Sequence, residues 1–356
     1  MNNKFTPSNT MLSYVTVDSA QPSFTKDKFL PAVAYTLDGK IQGRMFDSFL
    51  FLPTPSFIYS TKNGGLTKSD WQRYIDKGIF ADGGNLDALE QAALCTQSAL
   101  SDIKKLSVVM TVFPPDVKVS EFGEVDGKML DFSNVDDMKS AVKWLVDEQI
   151  KCFAEKDYKA IELAGFYWFE ESIDPSDAAL TEVVRNFTDY VRKLGYFSCW
   201  IPFHGAMGCD SNDLFGFDKV NMQGNFFPGQ PGFPNNYAYS DYFGHQTAKQ
   251  TFERAWNIIK PNNISFEMEF GGDVLNKKSL TGFKCYMLYG VKLGIMDWHL
   301  FYYMGGSHEV ETLAAAADPY ARSTYDQLYK FLKRTLTEED IVLEPENAYT
   351  IIAKEW

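Results

Sequence analysis

The chain lacks any run of five or more basic residues, and its 34 Lys and Arg are outnumbered by 47 Asp and Glu, leaving a net charge of −13. A nucleic-acid or anionic-membrane partner needs a positive footprint, so neither is expected. Cysteine is scarce and odd in number: Cys95, Cys152, Cys199, Cys209 and Cys285, with no C-x-x-C pair. Buried free thiols are therefore the default rather than a disulfide framework or a zinc ribbon. The four histidines, His204, His245, His299 and His308, lie far apart and form no H-E-x-x-H, so neither a metal nor a cofactor is expected. No apolar run reaches the ~18 residues of a membrane-spanning helix. The opening MNNKFTPSNTML has no apolar core of the kind a secretory signal carries. Internal repeats and low-complexity tracts are absent too.

What the chain does have is globular composition: 45% hydrophobic and 23% charged residues. Its 356 residues can bury a large core as one domain. Aromatic content is high at 15%, with 29 Phe, 19 Tyr and 7 Trp. An aromatic core accounts for much of this. A second use is a cleft in which flat rings stack on the C–H faces of sugars.

Strand-like and helix-like runs alternate, the pattern of βα units around a parallel sheet. Strands are expected at 31–37, 47–53, 106–113, 159–171, 197–203, 219–227, 264–270 and 295–303. Helices are expected at 67–79, 85–104, 134–155, from Asp174-Pro175 to Gly195, and at 243–260, 279–293 and 309–335. Thr67 with Asp70 forms an N-cap pair, and residues 228–240, rich in Pro, Gly and Asn, form a loop. The first strand stands only nine residues from the second, too near for a parallel crossover, and fits a hairpin arm. The fold class is thus α/β, a (β/α)8 TIM-type barrel irregular at its first or last strand. It spans 1–336, and 337–356 form a tail with a short strand.

Such barrels carry their chemistry at the C-terminal ends of the strands. In ISFEMEF, Ile264, Phe266, Met268 and Phe270 share one face, and Ser265, Glu267 and Glu269 the other. Two carboxylates facing a barrel interior are costly to desolvate without paired cations, and the neighbouring strands offer none. FYWFEE carries Glu170 and Glu171 beside Tyr167 and Trp168, rings that could form a sugar platform. The strands of Glu171 and Glu269 are three steps apart, across the barrel mouth from each other. Glycoside hydrolysis needs two carboxyl groups flanking the scissile bond, one of them protonated. Further polar positions alternate with apolar ones: Asn221, Gln223 and Asn225, then Asp297 and His299. Trp200, a further ring that could meet a sugar, is followed by His204 at another strand end. Taken singly, each is also explained as a hydrogen-bonded core group.

FYWFEE resembles the GFYW…E segment of a family of bacterial barrel proteins known as a domain of unknown function and regarded as glycoside-hydrolase-like. VNMQGNFF resembles its Gln-x-Asn-Tyr-Phe segment, FEMEF its Glu-x-Glu strand, and LPAVAYTLDGK…FDSFLFLP its opening; the likeness runs from about residue 30 to 305. More broadly, the chain is similar to retaining glycosidases in which Asn-Glu ends strand four and Glu followed by Gly ends strand seven. That likeness implies Glu171 as acid/base and Glu269 as nucleophile. Glu170 departs from the pattern by standing where Asn is usual, and Glu267 remains a rival to Glu269. The resemblance also implies a carbohydrate substrate and an extracellular, cell-surface or periplasmic setting.

The expectation is a glycoside hydrolase acting on a poly- or oligosaccharide. A non-catalytic carbohydrate-binding barrel is the alternative. A barrel enzyme for phosphorylated substrates would want a Gly-rich site near the last strands; Gly305-Gly306-Ser307 offers little, and the acidic balance opposes it.

Overall fold

The structure, a computed structural model, describes residues 8–59, 65–227, 248–306 and 308–344. The loop expected at 228–240, the start of the helix expected at 243–260, His245, Ser307 and the tail strand at 346–356 lie outside the described residues.

Eight parallel strands close into a barrel. They are β1 (Asn9–Val15), β2 (Ser48–Pro53), β3 (Leu106–Val112), β4 (Ile161–Trp168), β5 (Phe197–Trp200), β6 (Lys219–Met222), β7 (Ser265–Glu269) and β8 (Leu300–Tyr303). β1 closes the ring, pairing with β8 through Thr10↔Phe301 and with β2 through Leu12↔Leu50. The Asp47 carboxylate accepts from the backbone N–H groups of Ser8 and Asn9 and anchors its start.

The strand expected at 31–37 is not in the barrel. Pro31 lies inside the helix Lys26–Val33, and Ala34–Leu37 pairs antiparallel with Lys40–Arg44. The hairpin reading of this stretch holds, while β1, absent from the expectations, supplies the eighth strand. Its polar opening and Thr, Ser and Tyr content hide the alternation that the structure displays. Leu12 faces the barrel interior, whereas Met11 and Val15 pack outward on the helices.

Apolar side chains fill two layers. The larger lies between the strands and the helices. The smaller fills the barrel axis with Leu12, Leu50, Val109, Ala164, Phe197, Cys199 and Phe301 among others. β4 approaches β5 so closely that a Cβ on Gly165 would stand 2.6 Å from the Phe197 carbonyl oxygen, so glycine is required there.

Capping groups start the helices where polar residues precede apolar periodicity. Asp70 accepts from the Thr67 N–H, as that pair predicts. Asn134 and Asn276 cap Val135–Lys156 and Lys277–Lys292. The helix after β4 begins later than expected, at Ala178 under the Asp177 cap. Asp174 instead closes a turn, accepting from the Ser176 N–H and hydroxyl. All five cysteines are free thiols; three are buried, and Cys95 and Cys152 are half-buried. Among the described residues, no helix is long and apolar enough to cross a membrane.

Candidate active site

A cleft of about 1590 Å³ opens at the C-terminal ends of the strands. Tyr14, Leu52, Phe113, Tyr167, Ile201, Gln223, Glu269 and Tyr303 all reach it, so every barrel strand or the turn after it contributes.

Glu267 and Glu269 both point into this cleft, as the alternation in β7 requires, while Phe266 and Met268 pack outward. Glu269 is 4% exposed. Its Oε2 accepts from the Tyr286 hydroxyl and the Asn225 backbone N–H, both at 2.5 Å. Asn225 presents that N–H from a left-handed backbone, φ +54°. The preceding Gly224 is packed so tightly that a Cβ would meet Tyr286 Oη at 2.6 Å and Phe266 Cζ at 2.7 Å. Tyr286 Oη also accepts from the Phe226 N–H at 2.9 Å, so one phenol ties the turn after β6 to the end of β7.

Glu267 is 2% exposed, and its Oε1 has no hydrogen-bond partner among the described residues. Burial first, then the Glu269 and Glu171 carboxyls, push its pKa well above the usual value. Burial raises Glu269 to about 7, against the downward pull of Tyr286 and Asn225. The two groups titrate as a pair. Glu267, which has no donor aimed at its Oε1, is the member pushed further toward its protonated form. Glu269, with two donors on one oxygen, is the member fitted to carry charge.

Glu171 lies three residues beyond β4 on the opposite wall. Its Oε1 accepts from Gln223 Nε2 at 3.0 Å. The side chain is open to the cleft on one side, yet the protein packed around it raises its pKa, with Gln223 opposing. The backbone here is pinned from both neighbouring strands: Phe169 N–H donates to Val112 O, and Trp200 Nε1 donates to Glu170 O. Glu170 also lines the cleft, and desolvation raises it.

The sequence-predicted binding residues divide. Tyr167, Gln223 and Asn225 line the cleft. Tyr167 is only 3% exposed, and Gln223 serves Glu171 rather than Glu269. Trp168 and Trp200 are not a sugar platform. Both are fully buried on the helix side, Trp168 against Phe187 and Trp200 stacked on Phe217. Tyr167 and Trp168 are successive, so only one can face inward.

His204 is buried away from the cleft. Its Nε2 accepts from Arg254 Nε at 2.8 Å, and its Nδ1 lies 3.2 Å from Gly224 O. Burial, then Arg254, lower its pKa to about 4, so the neutral ring donates to Gly224 and braces the turn that serves Glu269. Asn221 is buried inside the barrel below the cleft. In the orientation that satisfies it, its amide donates to the carbonyls of His299 and Phe266.

Asp297 and His299 stand at the opposite, N-terminal end of β8. Residues Ile295–Asp297 form a 3-10 turn, so the strand expected at 295–303 begins only at Leu300. Asp297 is exposed near Arg334, and His299 packs between Phe197 and Phe301.

The rings that do border the cleft, half-buried, are Tyr14, Phe169, Phe227 and Tyr303. Tyr14 and Phe227 each meet Tyr303 edge-on, at 5.8 and 6.3 Å. Tyr14, Tyr286 and Tyr303 were missed in the sequence. Tyr303 ends a strand and could have been read from its position. Tyr286 comes from the middle of an outer helix and carries no local signal.

No curated protein matches the chain. Among solved structures it is similar to a tri-modular GH5 (subfamily 4) endo-β-1,4-glucanase from Bacillus licheniformis, with 12% identity and a TM-score of 0.46 over 93% of this chain. It spans 60% of that glucanase's length. It is also similar to the GH18 chitinase ChiB from Flavobacterium johnsoniae, with 11% identity and a TM-score of 0.41 over 92% of this chain and 96% of that one. The tryptophan synthase α-subunit from Pyrococcus furiosus has 11% identity and a TM-score of 0.35 over 92% of this chain and 99% of that one. These likenesses concern the fold alone. Residues 9–330 match the family described as a domain of unknown function, DUF4855. The match takes in the whole barrel and both walls of the cleft, and the chain belongs to that family.

Proposed function

We propose that the protein is a glycoside hydrolase that cleaves a poly- or oligosaccharide through two glutamates, with retention at the anomeric carbon. The observation that carries this reading is the pairing of Glu171 and Glu269 in one cleft, from strands three steps apart and in contrasting settings. Glu171 is open to the cleft, held by a single amide, and raised toward its protonated form. Glu269 is buried, with two donors converging on one oxygen.

In the first step Glu171 protonates the glycosidic oxygen while Glu269 attacks the anomeric carbon, forming a glycosyl ester as the leaving sugar departs. In the second step Glu171, now ionised, takes a proton from water. The water oxygen attacks the same carbon and frees Glu269. Tyr14, Phe169, Phe227 and Tyr303 supply the apolar faces that a sugar ring stacks on.

The test is a panel of defined oligosaccharides followed by product analysis. Glu171→Gln and Glu269→Gln should fold and lose about 10²- to 10⁴-fold in rate. Azide should revive Glu269→Ala with inverted product, and Glu171→Ala with retained product on substrates with good leaving groups. Near-normal rates in both folded Gln variants would refute the assignment. A wild type that binds a glycan and cleaves none would favour the non-catalytic barrel.

A further inference from the structure

The cleft is unusual in its charge. Glu267 and Glu269 lie at its floor and Glu170 and Glu171 on its wall, while Asp116, Asp174 and Asp177 extend the series along the turns after β3 and β4. Lys118 is the one basic side chain among the described residues that line it. None of these seven carboxyl groups forms an ion pair among the described residues, whereas acidic groups elsewhere do so repeatedly, as Asp102 does with Arg44 and Asp137 with Lys128. Hydrogen bonds hold the rim aspartates in place without neutralising them. Asp177 accepts from the Leu180 N–H, Asp174 from Ser176, and Asp116 from the Lys118 backbone N–H. Low-dielectric walls concentrate within the cleft the negative potential of those groups that are ionised.

A second observation points to a ligand. Glu267, nearly fully buried, lines the floor of the cleft, and one of its oxygens meets no hydrogen-bond partner among the described residues. A buried polar atom without a partner is costly unless a ligand completes it. A single metal ion does not fit, because no three or more of the described acidic, His or Cys side chains converge to hold one. The carboxyl groups are strung from the floor to the rim instead.

We propose that the cleft takes a glycan bearing free amino groups, whose spaced ammonium charges answer the unpaired carboxylates along its length. The proposal rests on the glycan-cleft reading above and narrows it to a substrate class. A glycan rich in carboxylate or sulfate is repelled by the same field. A neutral one leaves the charge unanswered.

The experiment is calorimetric titration of the whole protein with four hexasaccharides: β-1,4-linked glucosamine, its N-acetylated form, cellohexaose and oligogalacturonate. It is run at about pH 6, at low and at high salt. The glucosamine hexamer should bind at least about tenfold more tightly than either neutral hexamer, and high salt should erode the preference. The triple variant Asp116→Asn, Asp174→Asn, Asp177→Asn should lose most of it. Asn also caps helices, so this variant is expected to fold, and circular dichroism checks that. Equal or tighter binding of a neutral hexamer overturns the proposal. So does a preference that survives both salt and the triple variant, and so does failure of the glucosamine hexamer to bind. The hydrolase reading is judged separately: cleavage of a neutral glycan with no amino preference sinks this proposal alone. Binding of the amino glycan with no cleavage of any glycan sinks the hydrolase alone.

Discussion

Glu267→Gln should make the protein's stability less sensitive to pH, by an amount that follows from the burial of this one carboxyl. Glu267 is 2% exposed, has no cation beside it, and faces Glu269 and Glu171. All three conditions favour the protonated acid in the folded chain. In the unfolded chain the group ionises near its ordinary value of 4.5. A group whose pKa folding raises contributes its full stability below the unfolded value, and that contribution is lost as pH rises toward the folded value. Between pH 4.5 and pH 7 the unfolded chain releases a proton that the folded chain holds more tightly. At about 1.4 kcal/mol per pH unit, the folded state loses at most about 3 kcal/mol across that interval, the limit reached when the proton is kept throughout. The amide of Gln does not titrate, so the variant is spared this loss. Any cost of seating the amide is the same at both pH values and cancels. The assay is urea denaturation of both proteins at the two pH values. The variant's stability relative to wild type should improve by up to about 3 kcal/mol from the lower pH to the higher. Parallel pH dependences would mean that Glu267 ionises in place, and the reasoning about the floor of the cleft would fail.

Tyr286→Phe removes a donor that lowers the Glu269 pKa and also the acceptor for the Phe226 N–H. Glu269 should then ionise only at higher pH. The acid limb of the rate profile, or the carboxyl-carbon NMR titration of Glu269, should move upward; a limb that stays put or moves down would contradict the role given to the phenol. Trp200→Ala should destabilise the fold by about 3–5 kcal/mol, since it empties a fully buried aromatic site against Phe217. Wild-type stability in urea would show that the ring is not the packing element assigned here.

The parts of the fold legible in the sequence are those where one period dominates. Continuous apolar runs such as FLFLP in β2 and VVM in β3 belong to strands covered on both faces. β1 was not legible because its start is polar and its inward face mixes Thr10, Leu12 and Tyr14. Its place depends on pairing with β8, nearly three hundred residues away in the chain, and no local pattern encodes such a partner. The expected strand at 295–303 failed for another reason. Gly294 adopts φ +72°, and the following residues wind as a 3-10 turn before the strand begins. Alternation was read across a segment that does not alternate, which placed Asp297 and His299 at the wrong end of the barrel.

The site divides along the same physical line. Glu267 and Glu269 were legible because charge on one face of an otherwise apolar strand conflicts with burial, and parity assigns them to the same side. Parity does not carry through β4: Ala164 lines the barrel axis, so strict alternation would send Tyr167 outward, but the register against β3 slips between Leu163 and Gly165 and turns Tyr167 inward. A bulge shifts register by one residue, and sequence offers no measure of where it falls. The groups that tune Glu269 lie further from reach. Tyr286, Gly224 and the His204–Arg254 pair come from a helix, two turns and another helix, and they meet only because the barrel closes. Residues that perform chemistry stand out against local pattern. Those that fix its geometry look like ordinary members of their own elements, and only the assembled structure separates them from the core.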